Sequence, residues 1–132
     1  MKLTDLAILD WVLINNTPHR IQAIDSIDAE ILADDDLYYV GEDRCHSEDK
    51  IEPIPLTPEI LEKNGFIKVN SQRYDYGDPD TDCYAKVNPK KNMIHVNGRN
   101  ANSNLYSHSF VHELQKTLRL CGLNELADNF KI

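Results

Sequence analysis

Residues 51–66 read IEPIPLTPEILEKNGF, and the rest of the chain is arranged around this stretch. Pro53 and Pro55 forbid a helix and confine any strand here to a sheet edge. Thr57 has the hydroxyl of an N-cap, and Pro58 falls at the first helical position, where a missing N–H costs nothing. Leu56 and Leu61 occupy the two positions of a hydrophobic staple. Asn64-Gly65 ends the helix, with Gly65 free to turn left-handed and Phe66 placed to fold back on Ile60 or Leu61. A helix of about seven residues is too short to stand alone. It is expected to be held by packing, as a hinge between two bodies.

The charge distribution supports a boundary at this point. Of the net charge of −8, residues 1–52 hold 13 acidic and 4 basic side chains, whereas residues 53–132 hold 9 acidic and 10 basic. The expectation is an acidic β subdomain over 1–52, followed by a second body over 53–132. An acidic N-terminal half disfavours a phosphate backbone as partner. The chain has 132 residues, 41% of them hydrophobic, enough for one modest core or two small ones. No apolar run approaches a membrane span, and no basic segment leads into an apolar run at the start. Cys45, Cys83 and Cys121 are odd in number and widely spaced, which argues against a disulfide framework and for a reducing compartment.

Working back from the hinge, residues 11–14 read as a strand ended by the Asn15-Asn16 turn. A second strand covers 19–24, where Ile21 and Ile24 break strict alternation and imply a bulge. Residues 27–33 alternate, with Ile27, Ala29, Ile31 and Ala33 on one side. Asp34-Asp35-Asp36 is a turn, 37–40 a strand, 41–50 a polar loop and 51–54 a fifth strand. Five short strands in roughly 50 residues suggest an SH3-like barrel or a bent sheet, with Trp11 as its largest core residue. Leu3, Leu6 and Leu9 form a turn of helix or a cover.

Beyond the hinge, strands are expected at 66–69, 73–76, 82–87 and 93–97, the last two joined by a hairpin at 88–92. Residues 98–107, rich in Asn and Ser, read as an exposed loop. Residues 109–121 carry a helical stripe of Phe110, Val111, Leu114, Leu118 and Cys121, with His112, Lys116 and Arg119 opposite. Gly122 stops the helix and Leu123 can touch Leu118 across it, repeating the device that ends the hinge helix. Asn124 is placed to cap one more turn. The fold class is α+β: a small β subdomain, a short hinge helix, then a second antiparallel sheet with a C-terminal helix.

The segments IEPIPLTPEILEKNGF and VHELQKTLRLCG, residues 51–66 and 111–122, together with the Trp11 strand, resemble a group of small uncharacterised proteins from bacterial phages and integrated mobile elements. The resemblance implies a bacterial or phage origin; with the reducing compartment read from the cysteines, the expected location is the cytoplasm of a bacterial host cell. It supplies no activity and no functional residues.

Several patterns bear on chemistry. His112-Glu113-Leu114-Gln115-Lys116 lacks the second His of the zinc-peptidase motif, and a Lys stands in its place. His108 is one turn before His112, but Glu113 then lies wrongly for that motif. An amphipathic helix is the simpler account. Residues 78–82, DPDTD, begin like a calcium loop, yet Cys83 and Pro89 stand where Gly and Glu are required. Cys45-His46 among acidic residues lacks a second Cys or His pair. No G-x-S-x-G, phosphate loop or C-x-x-C is present; a spatial Cys–His pair is left open. No metal or cofactor is expected, and no enzymatic activity. Tyr84, Lys86, Lys90, Lys91, His95 and Arg99 form the candidate binding set, on or beside the basic hairpin. Tyr38, Tyr39, Tyr74, Tyr76 and Tyr84 suit either packing or binding. The functional expectation is a non-catalytic module that binds a protein partner. The alternatives are a nucleic-acid-binding accessory protein using the basic hairpin, and a metal-dependent hydrolase at His112 and Glu113.

Overall fold

A computed structural model describes residues 1–25, 27, 29–33, 45–78, 80, 83–98, 101–105 and 110–132. The turn expected at 34–36, the strand at 37–40, and Arg99 lie outside the described residues. The fold is α+β, with two five-stranded antiparallel sheets and a small set of helices. The chain divides into two compact units, Met1–Ile54 and Pro55–Ile132. Among the described residues no helix is long and apolar enough to cross a membrane.

The first unit contains β1 (Trp11–Ile14), β2 (Thr17–Asp25), β3 (Glu30–Ala33), β4 (His46–Ser47) and β5 (Ile51–Glu52), in the order β4-β3-β2-β1-β5. Asn15 and Asn16 both take positive φ, 52° and 62°, the geometry of a two-residue hairpin turn matched to strand twist. The register between β2 and β3 shifts between Ile21 and Ala23, so the bulge is present. β5 is an edge strand, as the prolines that follow it require. A single 3-10 turn, Glu48–Lys50, joins the two edge strands. Among the described residues no pairing closes the sheet into a barrel.

Two expectations need correction here. Trp11 is not the centre of the core. Val12 and Ile14 are the buried residues of β1, and Trp11 lies on the other side of the pleat. There it faces Arg20, its cross-strand partner, whose guanidinium carbon is 5.6 Å from the ring centroid. The third strand starts at Glu30, not at 27: Ala29 has φ 53°, and Ile27 is 93% exposed. The core is Leu3, Leu6, Val12, Ile14, Ile21, Ile31, Ala33 and Ile51. Leu3 and Leu6 reach it through the opening 3-10 turn, Leu3–Asp5, which hydrogen bonds hold in place. The Met1 ammonium donates to Glu48 O at 3.0 Å, and Leu3 N donates to Glu48 Oε2 at 3.3 Å.

The second unit opens with α1 (Pro58–Lys63). Thr57 Oγ1 accepts from Ile60 N at 3.3 Å. Gly65 takes φ +83°, and the helix closes with Phe66 N donating to Leu61 O and Gly65 N to Glu62 O, both bonds of a Schellman motif. Leu56, Leu61 and Phe66 are buried, so staple and stop both dock.

The second sheet follows: β6 (Ile67–Lys68), β7 (Tyr74–Gly77), β8 (Tyr84–Asn88), β9 (Met93–Asn97) and β10 (Asn102–Leu105), in the order β10-β9-β8-β7-β6. β10 corrects the exposed loop expected over 98–107: Asn102 to Leu105 pair with Asn97 to Ile94. The segment has little strand propensity, and its pairing with β9 supplies what its residue types lack.

α2 (Val111–Leu120) lies against β9, and α3 (Asn124–Asp128) packs on α2. α2 ends as α1 does, with Gly122 at φ +89° and Leu123 N donating to Leu118 O at 2.8 Å. Asn124 is the first residue of α3 rather than its cap. His112 is a further correction: it is buried, 6% exposed, not on a solvated face. His112, Gln115 and Arg119 form a second stripe on α2. α3 folds back along that side, with Gln115 Nε2 donating to Ala127 O at 3.0 Å and Arg119 Nε pairing with Asp128 Oδ1 at 3.1 Å.

Candidate functional site

Alternation along β8 and β9 sorts their side chains cleanly. Ala85, Val87, Ile94 and Val96 are buried on one side, and Tyr84, Lys86 and His95 are half-buried on the other. The hairpin register places Lys86 directly opposite His95. The Tyr84 and His95 rings are tilted at 50° with centroids 5.8 Å apart, and the Lys86 ammonium lies 5.3 Å from the Tyr84 centroid. Three of the six candidate residues are therefore brought together.

The register extends this group across the whole sheet. Ile67 pairs with Asp75, Asp75 with Lys86, Lys86 with His95 and His95 with Asn104. One row thus crosses all five strands. Asn104 Oδ1 is hydrogen-bonded to His95 Nδ1. Asp75 is held by Arg73, with Nε 3.0 Å from Oδ1 and an Nη2 hydrogen bond of 3.3 Å to Oδ2. At the β6 end, Ile67 is 73% and Val69 49% exposed.

Lys90 and Lys91 do not join this row. They sit on the 3-10 turn Pro89–Lys91, where Asn88 Oδ1 accepts from Lys91 N at 3.2 Å. Lys90 instead borders a cavity of about 180 Å³ with Pro58, Ser71, Gln72, Tyr74 and Pro89. Tyr74 is buried, whereas Tyr76 is half-buried with its ring 5.4 Å from that of Phe66. Tyr38, Tyr39 and Arg99 lie outside the described residues. Sequence reasoning passed over Ile67, Asp75 and Asn104. The first two could have been placed by counting cross-strand partners out from the hairpin. Asn104 could not, because Asn102-Ser103-Asn104 carries no strand signal of its own and pairs only through β9.

The other groupings have structural occupations. Glu113 Oε1 accepts from Phe110 N at 3.3 Å, which ties the carboxylate to the start of α2. The His112 ring stacks on Phe110, with centroids 5.9 Å apart and an interplanar angle of 13°. Asp78 Oδ1 accepts from Asp80 N at 2.9 Å, an Asx turn; the remainder of the calcium-like loop, 79 and 81–82, is not described. Among the described residues no group of three or more His, Cys, Asp or Glu side chains is placed to hold a metal ion. Cys83 borders a cavity of about 340 Å³ with Tyr76 and residues 122–126, none of which is a His. Cys121 is fully buried, and burial pushes its thiol pKa up.

Compared with known proteins, the chain matches no family model, no curated protein and no solved structure.

Proposed function

We propose that this chain is a non-catalytic protein-interaction module, encoded by a phage or mobile element and acting in the bacterial cytoplasm. Its partner binds on the outer face of the second sheet. The row Ile67–Asp75–Lys86–His95–Asn104 carries the reading. It sets apolar, charged, aromatic-flanked and hydrogen-bonding groups side by side on one face, the mixture that protein interfaces use. The short strands fix those groups by register, so little ordering is needed on binding. The structural duties of His112 and Glu113 speak against the hydrolase alternative. The first unit is read as SH3-like: β1 lies between β2 and β5, and one 3-10 turn links the two sheet edges, the connection a small barrel uses to bring its edges together.

Nucleic-acid binding is the second reading, favoured by one observation. Tyr84 with Lys86 over its ring, on an antiparallel sheet, resembles a base-stacking platform. Against it stands the acidic balance of the chain, a net charge of −8.

Co-purification of the intact protein from its native cell, followed by titration of the recovered partner, tests the proposal. A protein partner whose affinity falls roughly tenfold or more with Tyr84→Ala supports it. Recovery of nucleic acid alone, bound tightly, released by salt and lost on combining Lys90→Glu with Lys91→Glu, overturns it in favour of the second reading.

A further inference from the structure

The outer face of the second sheet carries an uncompensated cation. Lys86 stands between Asp75 and His95 in the row, but the Asp75 carboxylate is engaged at two points by Arg73. Among the described residues Lys86 makes no ion pair; its ammonium rests over the Tyr84 ring at 5.3 Å. A cation–π contact leaves ammonium hydrogens free for an anion. Lys90 and Lys91 add positive potential at the turn that joins β8 to β9.

Two strands from Lys86 in the same row is Ile67, 73% exposed, followed on the same side of the chain by Val69, 49% exposed. Two interstrand steps amount to roughly 10 Å. The face therefore offers an apolar step and a cationic step about 10 Å apart, with the neutralised Arg73–Asp75 pair between them. Beyond Lys86 come His95 and Asn104, hydrogen-bonding groups already oriented on each other.

We infer that the partner presents an acidic protein segment crossing the strands of this face, its carboxylate on Lys86 and an apolar side chain on Ile67 and Val69. The inference rests on the reading of this face as the protein-binding surface, and it names the partner's chemistry. Charge complementarity selects the acid, and the exposed pair Ile67 and Val69 selects protein over nucleic acid. A base gains no hydrogen bond from two aliphatic side chains.

The test is a titration of the isotopically labelled full chain, followed through its backbone amide resonances. The probes are a blocked peptide of Glu and Leu, its Lys-and-Leu counterpart, and an oligothymidylate. The Glu peptide is expected to shift the amides of Ile67, Asp75, Lys86 and His95. Lys86→Gln should weaken it about fivefold, the scale of one partly exposed ion pair, and added salt should weaken it further. Ile67→Ser, at a position exposed enough to leave the fold intact, should weaken it as well. The inference is overturned if the Lys peptide binds as well, if the shifts fall elsewhere, if Lys86→Gln changes nothing, or if no probe binds. Those outcomes leave the protein-interaction reading to its own co-purification test. Preferential binding of oligothymidylate on this face would overturn both.

Discussion

The side-chain amide of Asn64 pairs with both backbone polar groups of Lys131: its Nδ2 donates to Lys131 O at 2.8 Å, and its Oδ1 accepts from Lys131 N at 2.7 Å. The same Nδ2 donates to Ile60 O at 2.8 Å. One residue at the end of α1 thus caps its own helix and fixes the last residues of the chain, next to Phe130, which is buried. Asn64→Ala leaves these partners without their bonds at a site only 8% exposed, and should cost roughly 2–3 kcal/mol. Asn64→Asp should be no milder, because a carboxylate cannot donate to two carbonyls. Urea melts of both variants check this. A loss below about 0.5 kcal/mol, the range of ordinary surface changes, would mean that the C-terminal residues are not held by this pairing.

The hinge helix predicts an order of severity. Leu61 is 0% exposed, so Leu61→Ala should cost roughly 2–5 kcal/mol. Gly65 has φ +83°, and an added Cβ would lie 3.4 Å from a Tyr76 ring carbon. The space is tolerable and the backbone is the problem, so Gly65→Val should cost about 1–3 kcal/mol. Thr57→Ala removes one cap, about 1 kcal/mol. Denaturant midpoints give the ranking, and Leu61→Ala as the mildest of the three would show that α1 is not docked.

Gly98 is constrained by space rather than by φ. A Cβ there would fall 1.7 Å from Cys121 O and 2.7 Å from Cys121 Cβ. Gly98, whose N donates to Ala101 O at 3.1 Å, therefore packs directly on the end of α2. Gly98→Ala must push the two apart, which should cost about 3 kcal/mol or more. Thermal melts measure the cost, and a neutral result would mean that Gly98 and the helix end are not in contact.

What the residues disclosed in advance, and what they did not, follows from the range of the forces involved. Thr57, Gly65, Gly122 and Leu123 announce helix ends because capping is settled within one turn of chain. Tyr84, Lys86 and His95 were placed near one another because a hairpin and a period of two fix register locally. Trp11 and His112 were misplaced because their burial depends on elements distant in sequence. Val12 rather than Trp11 meets the core, and α3 covers the stripe of α2 that His112 shares. β10 was missed because Asn102-Ser103-Asn104 becomes strand only through β9. Without β10 and the full register, the row from Ile67 to Asn104 could not be assembled from the sequence.

Cys121 offers a prediction in pH. Its thiol is buried, with Sγ 3.6 Å from Val96 O, and burial raises its pKa above the ordinary 9.0 because the thiolate is poorly solvated there. The folded chain therefore holds the proton more tightly than the unfolded chain. That contribution to stability is fully present below pH 9.0 and is lost as pH climbs through the raised folded value. Cys121→Ala removes the titrating group at a packing cost of about 1–2 kcal/mol. The wild type should lose more stability than the variant between neutral pH and pH 10, by urea midpoints read in parallel. The folded wild type should also alkylate at Cys45, which is exposed, while Cys121 reacts only after denaturation. Equal pH slopes together with rapid alkylation of Cys121 in the native state would show that the junction of α2 with β9 opens readily, and that the thiol is not sealed where the packing places it.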